Sequence, residues 1–236
     1  MAIMSSVNND IHGQAIEDYF NNGEAETLWV HNTYGEKEEM PVEIFFREEE
    51  YLTEMELLAL FLCRGSILDV GAAAGAISLI LQNQGYEVTA LELSSKCCMV
   101  MKQLGVANGI EGDLYDLTFS NYDTILLMMN GLGLAGKFSR LKKMIDHLLS
   151  LLNPGGKIIF DSSDVSYLFE DVKKEKGYYG DVSFQFEYKG KKGDWFDWLY
   201  LDLETMMNFC QKNNYQLNVE YTDSSTGQYL ATIFKK

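Results

Sequence analysis

The sequence predicts an α/β fold: a doubly wound, mostly parallel sheet that ends on an antiparallel C-terminal edge. Three observations predict it. Strand-like and helix-like segments alternate from about residue 66 to 161, the signature of right-handed strand–helix–strand crossovers. The helical segments stop at Gly85, at Gly105 and at Asn153-Pro154-Gly155-Gly156, residues that terminate helices. Beyond residue 180 the apolar pattern changes to period two around two turn-like stretches, as in hairpins.

Each element follows from its own residues. Residues 1–50 are polar and acidic and are read as a segment apart from a regular domain spanning 51–236. Leu-rich Tyr51 to Cys63 reads as a helix that ends at Gly65, and Ser66 to Val70 as a short buried strand. Ala74 to Gln84 reads as a helix and Tyr86 to Glu92 as the second strand. Ser94 or Ser95 can cap a third helix running to Leu104. A short strand follows near Ala107 to Glu111, and another from Asp123 to Met129. Leu141, Met144, Ile145, Leu148, Leu149 and Leu152 recur at helical spacing, and Lys157 to Asp161 returns as a strand. In the tail, Val182 to Tyr188 and Trp195 to Leu201 form one expected hairpin. Tyr215 to Tyr221 and Tyr229 to Phe234 form a second, after a helix from Leu203 to Lys212.

Composition narrows the function. The 236 residues are 47% hydrophobic and 23% charged, an ordinary globular mixture. Nineteen Lys and Arg stand against 35 Asp and Glu, a net charge of −16, so nucleic acid and anionic membranes are not the expected partners. Ile125 to Met129 is far short of the roughly 20 apolar residues of a spanning helix. Met1 to Ser6 carries neither the basic region nor the apolar stretch of a secretion signal. Cys63, Cys97, Cys98 and Cys210 form no Cys-x-x-Cys pair, so no metal site is expected and a reducing cytoplasm is the expected compartment.

The informative stretch is Asp69-Val70-Gly71-Ala72-Ala73-Ala74-Gly75, a buried strand running through tiny residues into a helix. Ligands of doubly wound sheets sit at such carboxyl ends, and small residues let them approach the backbone. Glu92, at the end of the second strand, can accept hydrogen bonds from both hydroxyls of a ribose. Asp113 can accept from an adenine amino group while Leu114 packs on the ring. A dinucleotide site would place Gly-x-Gly-x-x-Gly against a pyrophosphate. Here the glycines lie four apart with an aspartate two residues ahead, which favours a ligand with an amino group and no phosphate.

Residues of about 60 to 165 resemble a class I S-adenosylmethionine-dependent methyltransferase. Four motifs carry the resemblance: Asp69 to Gly75, Glu92 within Ala90-Leu91-Glu92-Leu93, Gly112-Asp113-Leu114, and Leu152-Asn153-Pro154-Gly155-Gly156. It implies a Rossmann-like, seven-stranded sheet and S-adenosylmethionine as cofactor. Asp69, Gly71, Ala73, Gly75, Glu92, Leu93, Asp113, Leu114 and Met129 would contact that cofactor. The family has a glycine where Ala73 stands, so its methyl could crowd the ligand. A small-molecule acceptor is expected. The alternatives are a nucleotide-cofactor oxidoreductase and a non-catalytic S-adenosylmethionine-binding protein.

Methyl transfer from a sulfonium needs alignment and exclusion of water, and a base only when the acceptor must lose a proton. The acceptor-side candidates are Asn130 after the fourth strand, Asp161 after the fifth, and His31 or Tyr34 in the N-terminal segment. Arg47 is a candidate partner for the cofactor carboxylate. Trp195, Phe196 and Trp198 are candidate walls of an acceptor pocket, and Lys173-Lys174-Lys176 and Lys189-Lys191-Lys192 candidate anion patches. His147 lies outside the apolar stripe of its helix, and His12 receives no role.

Overall fold

A computed structural model describes residues 10–118, 121–169 and 177–235. The first half of the chain forms α1 (Ile11–Asn22), β1 (Leu28–Asn32), β2 (Glu38–Met40), α2 (Glu54–Leu62), β3 (Ser66–Val70), α3 (Ala76–Asn83), β4 (Glu87–Glu92), α4 (Ser95–Leu104) and β5 (Gly109–Glu111). The second half forms β6 (Tyr122–Leu127), α5 (Phe138–Leu151), β7 (Leu152–Ser163), β8 (Asp181–Tyr188), β9 (Lys191–Lys192), β10 (Phe196–Leu199), α6 (Leu203–Asn213), β11 (Gln216–Asp223) and β12 (Gln228–Phe234).

The main sheet has seven strands in the order β11-β12-β7-β6-β3-β4-β5. The β4–β5 and β6–β7 pairs are parallel, while β12 runs antiparallel to both β7 and β11. This is the expected doubly wound sheet with its antiparallel C-terminal edge.

Helix starts follow local capping. Thr53 and Glu56 form a reciprocal capping box, Thr53 Oγ1 accepting from the Glu56 amide at 3.2 Å and Glu56 Oε2 accepting from the Thr53 amide at 2.8 Å. That box starts α2 at Glu54, later than the expected Tyr51. Glu49–Tyr51 form a separate 3₁₀ turn instead. Ser94 caps α4, accepting from the Cys97 amide at 3.0 Å, and Gly105 ends it in the left-handed region.

Two compact units partition the chain. The first comprises residues through Leu52, Asp69–Leu117 and Ser183–Phe196. Its core joins Ile11, Ala15 and Ile16 of α1 to Leu28, Val42, Ala74, Cys97, Val100 and Tyr188. The second comprises Thr53–Leu68, Thr118–Val182 and residues from Asp197 onward. There the buried face of α5 is Leu141, Met144, Ile145, Leu148 and Leu151. Burying each such side chain contributes about 1.5–3 kcal/mol.

The structure departs from the sequence reading in the strands as well. The first tail hairpin does not extend the main sheet. It joins the N-terminal segment in a second, antiparallel sheet ordered β10-β8-β1-β2, with β9 also pairing β8. The fourth core strand stops at Leu127, because Met129 and Asn130 adopt φ of 59° and 58° and turn the chain away. The fifth, β7, runs on to Ser163, where it pairs Gln228 of β12.

Candidate active site

The site in the first unit begins at the carboxyl end of β3. The Gly71 and Ala72 amides both donate to the carbonyl of Leu91, at 2.9 and 3.2 Å, and the Gly75 amide donates to Ala72 O at 2.7 Å. This tight turn requires Gly71, Ala73 and Gly75 at φ of 76°, 49° and 84°. At Gly75 a side chain is excluded twice over. Beyond the unfavourable dihedral, a Cβ would lie 2.8 Å from Val106 Cγ2 and 2.9 Å from Met101 Cγ. Ala73 bears its methyl in the left-handed region and packs against the apolar core of its unit.

Two carboxylates flank the turn. Asp69 is 4% exposed and accepts from Ser78 Oγ at 2.6 Å. Burial pushes its carboxyl up to about 6, with Glu92 adding like-charge repulsion. Glu92 Oε2 accepts from the Ala73 amide at 2.9 Å, and Oε1 accepts from the Leu93 and Ser94 amides at 2.8 and 2.9 Å. Its pKa too is raised by burial, although these three amide donors pull the other way. Neither carboxylate has a Lys or Arg partner among the described residues. Asp113 caps the 3₁₀ turn Leu114–Asp116 by accepting from the Tyr115 amide through Oδ1 at 2.9 Å, beside the buried Leu114.

The N-terminal segment is fastened to this loop. Asp10 caps α1, accepting from the Gly13 amide at 2.9 Å, and its Oδ2 accepts from Ser94 Oγ at 2.5 Å. A Cβ at Gly13 would collide with Ser94 Oγ, so a glycine permits this approach of α1 to α4.

The sheet of β1 and β8 sorts the N-terminal candidates. In register, Trp29 and His31 oppose Glu187 and Gln185, whereas Val30 and Asn32 oppose Phe186 and Phe184. Residues alternate faces along a strand. His31 therefore lies on the face opposite Phe184 and Phe186, where its Nε2 pairs with Glu187 Oε2 at 2.6 Å. Tyr34 stands edge-on to Phe184 at 6.2 Å. The histidine on the aromatic side is His12, between Phe45 and Phe186 at 4.9 and 5.2 Å. Sequence reasoning missed it because one histidine in a polar segment carries no local signal. Its only precursor is the spacing His12, Ile16, Tyr19 on one face of α1.

The second unit holds Met129, 40% exposed, and brings Asn130 and Asp161 together. The Asn130 amide donates to Asp161 Oδ2 at 2.9 Å, and Ser163 Oγ donates to Asn130 Oδ1 at 2.9 Å. Asp161 is 2% exposed, and its Oδ1 has no hydrogen-bond partner among the described residues. Burial pushes its carboxyl up to about 7 against the Asn130 amide. Trp198 lies directly over Gly133 in this unit, whereas Trp195 is exposed.

The remaining candidates find ordinary partners. Arg47 Nε donates to the Ile44 carbonyl at 3.1 Å. Lys189 pairs with Asp18 at 2.7 Å and Lys192 with Glu187 at 3.6 Å, so this basic turn is partly neutralised by acids. Lys173, Lys174 and Lys176 lie outside the described residues. Among the described residues no group of His, Cys, Asp and Glu is placed to hold a metal ion. No helix there is long and apolar enough to cross a membrane.

Comparison with known proteins agrees with this geometry. Residues 67–156 match a family described as a methyltransferase domain. A crystal structure of an S-adenosylmethionine-dependent methyltransferase from Bacteroides fragilis, in complex with S-adenosyl-L-homocysteine, is 35% identical. The match covers 98% of this chain and 96% of that one, with a TM-score of 0.90. The PH0226 protein from Pyrococcus horikoshii shares the fold at 18% identity, with 81% and 94% coverage and a TM-score of 0.58. An S-adenosylmethionine-dependent methyltransferase from Clostridium acetobutylicum does so at 15% identity, with 76% and 87% coverage and a TM-score of 0.54. A search of curated proteins found no match. The sheet order, the glycine turn with its flanking acids and the near full-length similarity converge: the chain belongs to the S-adenosylmethionine-dependent methyltransferases.

Proposed function

We propose that the β3–α3 turn and the ends of β4 and β5 hold S-adenosylmethionine, and that the enzyme methylates a small molecule. One observation carries this reading. Asp69 and Glu92 are two carboxyl groups whose burial disfavours their charge, and among the described residues neither has a cationic side chain beside it. Such a pair is costly when empty and fits a ligand that brings positive charge and hydrogen-bond donors. It would repel a pyrophosphate, which disfavours the dinucleotide alternative.

In this reading Glu92 takes one ribose hydroxyl through its remaining acceptor position. Three of its roughly four acceptor positions are filled by amides, which leaves one lone pair on Oε2 and fixes the carboxylate in place. Asp113 Oδ2 accepts from the adenine amino group and Leu114 packs on the ring. Asp69 faces the amino group of the methionine portion. Gly71, Ala73, Gly75 and Leu93 offer backbone at close range. Bound S-adenosylmethionine supplies an electrophilic methyl group on a sulfonium. Within the second unit, Met129, Asn130 and the orphaned Oδ1 of Asp161 are proposed acceptor contacts. We assign the N-terminal residues 1–50 an acceptor-side role and residues 51–236 the methyltransferase domain. The four cysteines are free thiols, which supports a reducing, cytoplasmic setting.

The test is calorimetric titration with S-adenosylmethionine, S-adenosylhomocysteine and NADH, beside Asp69→Ala. Binding of the two adenosyl ligands alone, weakened in the variant, is the expected result. Binding of NADH instead, or of none of the three, overturns the reading.

A further inference from the structure

The first unit carries a continuous row of rings that the cofactor reading leaves unused. Phe45 meets His12 edge-on at 4.9 Å, and His12 stacks on Phe186 at 5.2 Å and an interplanar angle of 22°. Phe186 lies 5.2 Å from Phe196, Phe196 lies 6.1 Å from Phe184, and Tyr34 closes the row at 6.2 Å from Phe184. Most of these rings are half-buried and keep part of their surface accessible. Flat rings bind best against such walls, by offset or edge-on contact.

His12 is the polar point in the row. Its imidazole makes no hydrogen bond among the described residues. Burial holds its imidazole well below the usual range, at about 4, against the opposing pull of Asp10. A neutral imidazole keeps one ring nitrogen as an acceptor, and leaving it unpaired in a half-buried site is unfavourable. The charged residues of β8 do not compete for that position. Glu187 lies on the opposite face, paired with His31 and Lys192. An ammonium ligand would therefore find no carboxylate from β8 on this face, whereas a hydroxyl finds an acceptor.

Resting on the cofactor reading, we propose that this row binds the methyl acceptor. The acceptor is a flat aromatic molecule bearing a ring hydroxyl, and His12 takes that hydroxyl's hydrogen bond and then its proton. The balance is complete. The hydroxyl oxygen uses a lone pair to form the bond to the transferred methyl carbon. The bond from that carbon to sulfur breaks, with its electron pair left on sulfur. The O–H proton passes to the imidazole nitrogen and from there to water.

The probes are 2-naphthol and naphthalene, added to the full chain saturated with S-adenosylhomocysteine. Calorimetric titration of that ligand comes first. If it does not bind, the cofactor reading falls, and this proposal with it. If it binds, each later failure belongs to this proposal alone. The chain has only three histidines, so ring resonances in histidine-labelled protein are assigned with His31→Asn and His147→Asn, leaving His12. The expected result is that 2-naphthol shifts the His12 ring signals, while naphthalene binds and moves them little. In His12→Phe, 2-naphthol affinity should fall about tenfold, the scale of one hydrogen bond, with naphthalene affinity kept. Phe196→Ala should weaken both probes. Should His12→Phe not fold, the wild-type spectra and Phe196→Ala still decide. Unmoved His12 signals on adding 2-naphthol, or equal 2-naphthol affinity in a folded His12→Phe, overturn the proposal.

Discussion

Asp69→Asn should raise stability relative to the native protein as pH rises, while weakening cofactor binding. The native carboxyl is held at about 6 in the fold against 3.8 for the free side chain. Between those values the folded state binds the extra proton, so stability is lost as pH rises through them. A shift of about 2.2 units corresponds to about 3 kcal/mol, complete above pH 7. About 1.4 kcal/mol of it develops between pH 5 and pH 8, a range that stays above the isoelectric point of about 4.5. Asparagine cannot ionise, so it escapes this loss. It can still accept from Ser78, but it also brings a buried amide donor, which costs about 1–3 kcal/mol if unpaired. The absolute difference is therefore near zero at pH 8. Its change with pH is the sharper quantity. Urea unfolding of both proteins at pH 5, 6, 7 and 8 should show the variant gaining about 1.4 kcal/mol on the native protein. Calorimetry at pH 8 should show S-adenosylmethionine binding about 10–100-fold more weakly, the value of a charge-assisted hydrogen bond. A stability difference constant across the series, or undiminished affinity, refutes the reasoning.

Other sites give further tests. Gly75→Ala adds a left-handed alanine and contacts to Val106 and Met101, so unfolding midpoints should report a loss of about 2–4 kcal/mol. Asp161→Asn should remove a pH dependence in which native stability falls as pH rises toward the Asp161 value of about 7; urea unfolding at pH 6 and 9 reads it. Ala73→Gly relieves the left-handed φ of 49° but frees the unfolded chain, so stability should change by less than about 1 kcal/mol. If the Ala73 methyl does not crowd the cofactor, S-adenosylhomocysteine affinity should stay within about threefold in that variant.

The main sheet was legible because its signals are local. Gly71, Glu92 and Ser94 mark the ends of β3 and β4 and the start of α4 by residue type alone, and the structure places each at those points. Boundaries were lost where long-range pairing overrode the local pattern. Ser162 and Ser163 lie past the expected strand end at Asp161, yet β12 holds them in a strand through Tyr229 and Gln228. Met128 and Met129 read as a continuing strand, yet the left-handed pair Met129 and Asn130 ends it. The second sheet was hidden for the same reason. Val30 and Phe186 are 156 residues apart, and neither segment announces the other.

That hidden pairing decides which histidine faces the rings. From sequence, His31 and Tyr34 looked equivalent, three residues apart in one aromatic segment. Strand alternation separates His31 from the ring face, while α1 delivers His12 to it. The approach of α1 depends on Gly13, whose missing side chain admits Ser94, and on Asp10, which bonds that same serine. Ser94 in turn donates its amide to Glu92. A path of hydrogen bonds thus runs from the cap of the helix bearing His12 to a carboxylate assigned to the cofactor. The N-terminal helix is therefore tied by hydrogen bonds to the loop that carries Glu92, within one packed unit.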